Sequence, residues 1–343
     1  MGVTALPWGK INGKDVYLYE IASEGGLCAR VSDFGGVVQS IRLPDGFDAA
    51  LGYDTLEEYL RSETFFGASV GPIADRLVGG SCVLDGETVR LPRNAGPDTM
   101  HSGPNGFHRQ LWNAEVLPDG VELRRAFAQS NIGFPGTLDA RIRFRVRGNT
   151  LRIEYFAQCD RETAVSFTNH TYFRLGGESC RNAILSVNAS RYAETTCTEN
   201  PACTGRALPV DGTPLDLRGG VRIGGALDRA DFPEIASAGG IDHYFLADGA
   251  GMREHARVVW ENRELVCVSD APGVLIYTAN GLDRERGKGG EIYGQNAAIC
   301  LETERFPNAV NLAERRVDAL LQPNGRYESV TEFRFHCGLD PET

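Results

Sequence analysis

Arg141-Ile142-Arg143-Phe144-Arg145-Val146 alternates charged and apolar side chains without a break, and Leu151-Arg152-Ile153-Glu154-Tyr155 resumes the pattern after Arg147-Gly148-Asn149-Thr150. A period of two sends successive side chains to opposite faces of a strand, so the two runs read as a hairpin with one apolar and one polar face. Further along, Thr331, Phe333 and Phe335 alternate with Glu332 and Arg334 in a strand of the same kind. Between such runs stand turn signals: Asp45-Gly46, Asp85-Gly86, Asp119-Gly120, Asp211-Gly212 and Asn324-Gly325. With 41 glycines and few long helical patterns, the chain reads as all-β, a large antiparallel sandwich or barrel-like fold with few short helices. One helix is expected, capped by Asp54 with Glu57 as its capping-box partner and Leu56, Tyr59 and Leu60 as its apolar stripe. Residues 229–240 read as a surface loop. No linker, charge run or tandem repeat divides the sequence, so residues 1–343 are expected to form one domain.

The composition narrows the possible functions. Of 343 residues, 42% are hydrophobic and 24% charged, enough for a sizeable core and unlike a disordered chain. The net charge of -11 argues against nucleic acid or an anionic membrane as partner, since both ask for a basic footprint. No stretch approaches the ~18 apolar residues of a membrane span. The first fifteen residues lack the basic and apolar regions of a secretory leader. Nine scattered cysteines without a CxxC pair suit neither a zinc site nor a disulfide framework and fit a reduced, cytoplasmic protein.

Histidine is scarce, with six in all. His170 ends Ala164-Val165-Ser166-Phe167-Thr168-Asn169-His170, where Ser166, Thr168 and His170 would share one strand face. That face meets either solvent or a wet cleft. Tyr172-Phe173 follow, and aromatic rings beside a polar strand end suit a sugar, whose C–H faces stack while its hydroxyls need partners. Glu302 follows the apolar run Ala297–Leu301 on the face of Ala298 and Cys300, where burial would raise its pKa toward general-base range. Glu304 shares that face, and spacing alone does not separate the two. His101 lies in a loop-like segment, Asp242 opens a strand after a turn, and Arg76 by itself reads as a surface arginine.

Taken together, these segments resemble the aldose 1-epimerase (galactose mutarotase) family, in order and over nearly the whole chain. The matching pieces include Leu51–Leu60, Ala74-Asp75-Arg76-Leu77, His101-Ser102-Gly103, Asn169-His170-Thr171-Tyr172-Phe173, Gly240-Ile241-Asp242-His243 and Leu301-Glu302-Thr303. The resemblance implies a galactose-mutarotase-type sandwich with a sugar in an open cleft, His170 as general acid and Glu302 rather than Glu304 as general base. It implies hydrogen bonds from Arg76, His101 and Asp242 to sugar oxygens, with Asp75 and Tyr172 as neighbours. The implied reaction needs no cofactor and no metal. One group takes the C1 hydroxyl proton, the other protonates the ring oxygen, and the opened chain closes on the other carbonyl face.

The partner expected is a small-molecule monosaccharide, with no nucleic acid and no membrane, for a monomer or weak homodimer. The two catalytic groups, far apart in sequence, are expected to flank one pyranose from opposite sides. Departures from the family pattern fall at Pro72, Asp75, Ser102, Arg174 and Ala271, and Asp75 could pair with Arg76. They leave open a sugar other than galactose, or a non-catalytic carbohydrate-binding protein on the same fold.

Overall fold

A computed structural model describes residues 2–338. The alternating run is realised as strands Thr137–Arg147 and Thr150–Cys159, paired antiparallel with Val146 opposite Leu151. Gly148, at φ +56°, opens their two-residue loop in a conformation open to glycine at little cost. Leu138, Ala140, Ile142, Phe144 and Val146 are buried on one face. The other face is an ion-pair lattice, in which Arg145 meets Asp119 at 3.1 Å and Arg143 meets Glu154 at 3.7 Å. Such pairs, still open to solvent along the arginines, contribute about 1 kcal/mol or less each, so the apolar face carries the stability.

This hairpin lies in a nine-stranded sheet, ordered Asn113–Leu117, Gly120–Ala128, Thr137–Arg147, Thr150–Cys159, Tyr327–Cys337, Arg263–Ser269, Arg253–Trp260, Ile184–Val187 and Val221–Arg222. Against it packs a six-stranded sheet, ordered Tyr172–Phe173, Ile299–Glu304, Gly273–Tyr277, Asp242–Leu246, Arg191–Thr195 and Cys203–Pro209. Phe173 meets Phe333 with ring centroids 4.7 Å apart, and the Thr303 and Thr331 hydroxyls hydrogen-bond across the layers. A four-stranded sheet of residues 2–42 completes the main strands. The helices are short, the longest six residues, so the all-β reading stands.

Strand Ile299–Glu304 is buried along its whole length, which explains why its sequence reads as a nearly continuous apolar run. Leu301 and Thr303 face the other sheet. Cys300, Glu302 and Glu304 face away from it, and pairing sets Tyr172 opposite Cys300, Cys300 opposite Tyr277, and Tyr277 opposite Asp242. Opposed residues on neighbouring strands share a face. One face of one sheet therefore carries Tyr172, Tyr277, Asp242 and Glu302.

Three local expectations change. The helix is Leu56–Arg61, and its cap is Thr55 with Glu58, one residue later than expected. The Asp54 carboxylate is taken by the backbone N–H of Gly289 at 2.7 Å. Residues 229–240 are not all loop, since Pro233–Ala238 form a helix with proline in the first turn and Gly239 at φ +66° as its stop. Burial of Ile235 holds that helix to the core. The 164–170 segment is broken into three pairings, with Leu320–Leu321, Ile73 and Ala68–Val70 in turn, and its polar face is buried.

Candidate active site

His170 is held by strand Thr168–His170, and its imidazole lies between two aromatic rings. Tyr172 stacks on it at 4.9 Å and 9°, and Phe65 faces it at 5.9 Å and 10°. The sandwich fixes the ring orientation and removes water from it, leaving His170 6% exposed. Glu302, 2% exposed, places Oε1 3.5 Å from His170 Nε2. Residues 132 positions apart in sequence are thus neighbours. Their reactive atoms lie too close for a pyranose to fit between them, which departs from the expectation of opposite sides. Adjacency suits the chemistry, because the two sugar oxygens to be protonated and deprotonated are bonded to one carbon.

Around the pair opens a cavity of about 410 Å³, within the usual range for small-molecule sites. Asp75, Arg76, His101, Tyr172 and Asp242 all line it, so the five candidate binding residues lie together with the acid–base pair. Strand Arg76–Leu77 pairs with Thr99–Met100, which brings Arg76 to His101. Asp75 and His101 both have positive φ, +52° and +51°, a conformation costly for non-glycine residues. Two mutual bonds hold them there. The Asp75 N–H donates to His101 Nδ1 at 3.1 Å, and the His101 N–H donates to the Asp75 carbonyl at 3.0 Å. A smaller adjoining cavity of about 240 Å³ shares Glu63, Thr64, Phe65 and Met100 with this one but reaches neither His170 nor Glu302.

Burial governs the proton affinities. It pushes His170 down to about 3. It raises Glu302 well above the usual carboxylate range, with the charges of Asp75 and Asp242 adding to the effect. Asp242 is pushed up to about 7 by burial and then by Asp75. The short His170–Glu302 approach favours an ion pair, whereas burial favours two neutral groups. Burial dominates, because desolvating two ions costs several kcal/mol and neither has a second partner within the protein to offset it. Neutral imidazole beside a protonated carboxyl holds one proton, the same count as imidazolium beside carboxylate. The pair can therefore pass between the two forms with no change in net charge.

His101, His170 and Glu302 bring one ligand atom each within 4.8 Å of one another, as a metal ion would require. Yet His101 Nδ1 accepts the Asp75 N–H, so the neutral ring carries its hydrogen on Nε2 and presents a donor rather than a lone pair. Burial keeps that ring neutral. The trio is better built for hydrogen bonding and proton transfer than for a cation.

Of the departures from the family pattern, Asp75 alone lines the cavity. It makes no ion pair with Arg76, whose Nη1 is buried and unpartnered. Ser102 instead ties two loops, accepting from the Ile73 N–H at 2.8 Å and donating to its carbonyl at 3.0 Å. Arg174 pairs with Glu291 at 2.7 Å. The Ala271 carbonyl accepts from Arg253, and Pro72 follows a cis peptide bond outside the cavity. Glu304, buried behind Glu302, does not line it either.

Sequence reading assigned no role to Phe65 or Tyr277. Tyr277 stands edge-on to His170 at 6.2 Å, and its alternation with Leu275 on the Asp242 face was the available signal. Phe65 gives only the pair Phe65-Phe66 before Gly67, because its placement depends on a backbone at φ +60°.

Known proteins resemble the chain in sequence and in fold. The family described as Aldose 1-epimerase matches residues 17–334. The galactose mutarotase of Homo sapiens is 36% identical over 295 residues, 84% of each chain. The aldose 1-epimerase of Escherichia coli (strain K12) is 31% identical over 340 residues, 94% of this chain and 96% of its own. Among solved structures, a galactose 1-epimerase from Lactobacillus acidophilus NCFM superposes with a TM-score of 0.86 at 25% identity, covering 98% of this chain and 99% of that one.

Proposed function

The chain belongs to the aldose 1-epimerase family, and from that premise we propose that it interconverts the α and β anomers of a free aldose with His170 as acid and Glu302 as base. The observation carrying the assignment is the 3.5 Å approach of His170 Nε2 to Glu302 Oε1 in the wall of a cavity of sugar size.

The steps follow from that approach. Glu302, as carboxylate, takes the proton of the C1 hydroxyl. The O1 electron pair forms the C1 carbonyl, and the bond from C1 to the ring oxygen breaks onto that oxygen, which takes a proton from His170. The pair is now neutral imidazole and protonated carboxyl, the form that burial favours. Rotation about C1–C2 turns the other carbonyl face to the ring hydroxyl. Closure returns the hydroxyl proton to His170 and the Glu302 proton to O1. Protons balance over the cycle, and each transfer contributes about 10²- to 10⁴-fold. Arg76, His101 and Asp242 hydrogen-bond the remaining hydroxyls, Asp75 adds an acceptor, and Tyr172 packs behind His170.

We extend the reading to the protein as a whole. The described residues form one domain, supported by an apolar cluster running from Tyr19 to Phe335 through both large sheets. The partner is a monosaccharide, and neither nucleic acid nor a membrane surface suits a charge of -11. No helix among the described residues is long and apolar enough to cross a membrane. Nine unpaired cysteines suit the cytoplasm, and a monomer or weak homodimer is the expected state.

The test is polarimetric decay of freshly dissolved α-galactose and α-glucose. Purified protein is expected to accelerate it, and His170→Ala and Glu302→Ala are each expected to abolish the acceleration. Full activity in either variant removes the assignment. Saturable sugar binding without any acceleration would select a non-catalytic binding protein instead.

A further inference from the structure

We propose that the aldose this site prefers carries a protonated amine, held between the carboxylates of Asp75 and Asp242. The inference rests on the mutarotase reading above and narrows it to a substrate class.

The first ground is the charge lining the cavity. Glu63, Asp75, Asp242 and Glu302 line it against one permanent cation, Arg76, while burial keeps both His101 and His170 neutral. Glu304 stands two residues past Glu302 on the same sheet face, 1% exposed, with both carboxyl oxygens unpartnered. This imbalance is local. On the outer face of the nine-stranded sheet, Glu122, Asp119 and Glu332 each meet arginines.

The second ground is the absence of internal partners. Among the described residues, the Asp75 and Asp242 side chains, both partly exposed in the cavity wall, join no ion pair and meet no side-chain hydrogen-bond donor. Glu302 lines the same cavity, is 2% exposed, and has only the His170 ring at 3.5 Å. A carboxyl as buried as Glu302 is normally paired, so the site is built around something that supplies what the protein withholds. Hydroxyls of a neutral sugar can donate to these carboxyls but do not relieve the mutual repulsion that adds to burial in raising the proton affinities of Asp242 and Glu302. An ammonium group offers three donors and the missing positive charge together.

Other substituents fit less well. A sugar acid or phosphosugar would add like charge to four carboxyls with one arginine to receive it. Arg174, which could have served a phosphate, is spent on Glu291 and lies outside the cavity. The single departure from the family pattern that lines the cavity, Asp75, is an acid, the type an amine calls for. A bound ammonium would also lower the cost of charge on Glu302, favouring the imidazolium–carboxylate form that starts ring opening.

The experiment is anomer-exchange NMR, corrected for the buffer rate, on 2-amino-2-deoxygalactose and 2-amino-2-deoxyglucose beside galactose, glucose and the two N-acetylated amino sugars. At about pH 6.5 the amines are protonated, and kcat/KM for an amino sugar is expected to exceed that of its parent hexose and its N-acetyl form by about tenfold. Asp75→Asn and Asp242→Asn, near-isosteric changes, should each lower the ratio of amino sugar to parent by a similar factor. Equal or greater activity on the parent hexose overturns the inference, as does a ratio that neither variant changes, and both leave the mutarotase reading intact. Acceleration of no sugar at all defeats both together.

Discussion

Replacing Asp242 by asparagine is expected to stabilise the folded protein at alkaline pH even as it damages the site. In the fold the Asp242 carboxyl is pushed from its ordinary 3.8 up to about 7 by burial, by the neighbouring Asp75 charge, and against the pull of Arg76. A raised carboxyl favours the protonated native state, so its penalty is absent below the unfolded value and grows as pH climbs toward the folded one. Over that interval the full cost comes to about 4 kcal/mol, reduced to roughly half by solvent in the open cavity. Asparagine keeps the shape and carries no charge. Urea unfolding of wild type and Asp242→Asn at constant ionic strength, from about pH 3 to 8, should give nearly equal stabilities at the acid end. A gap of about 2 kcal/mol in favour of the variant should open by the alkaline end, with m unchanged. A gap independent of pH, or a variant less stable at the alkaline end, would refute the claim that this carboxyl is held under electrostatic strain.

Further expectations follow from other parts of the molecule. Because burial holds His170 near 3 rather than 6.5, the one-proton state of the catalytic pair should persist into acid, and kcat/KM should stay level at least about one pH unit below 6.5. An acid limb centred on 6.5 would contradict this. Glu302→Gln should cost about 10²- to 10⁴-fold in kcat, and adding His170→Ala should cost little more, since the two act as a unit; multiplicative losses would count against a shared proton. Ser102→Ala strands the Ile73 N–H and carbonyl and should cost about 1–3 kcal/mol by chemical denaturation, whereas an unchanged midpoint would show water replacing the hydroxyl. Thr55→Ala removes the true helix cap and should cost about 1 kcal/mol, measurable as a lowered Tm.

How much the sequence disclosed depended on how local each signal was. The hairpin at 137–159 was legible because strict alternation and a two-residue Gly148-Asn149 loop need no tertiary context. Strand Ile299–Glu304 was harder, since burial on both faces erases the alternation and leaves an apolar run that periodicity cannot orient. The helix was placed correctly but its cap was not. Asp54 and Thr55 are both good caps, and the choice was made by Gly289, far away in the chain, which claims the aspartate. At the site, the residue types and the acid–base pair could be named in advance. Their side-by-side arrangement could not, because it comes from the ladder joining Tyr172–Phe173 to Ile299–Cys300. Phe65 and the unpaired state of Asp75 were equally hidden, as both depend on positive-φ backbone that no propensity announces.

The most direct measurement is a crystal structure of Glu302→Gln with an aldose soaked to saturation. Both His170 Nε2 and the residue-302 side chain should lie about 2.6–3.2 Å from the ring oxygen and O1 of a single sugar. A sugar seated with C1 turned away from the stacked imidazole, or lodged in the adjoining cavity near His108, would contradict the proton-transfer scheme at its root.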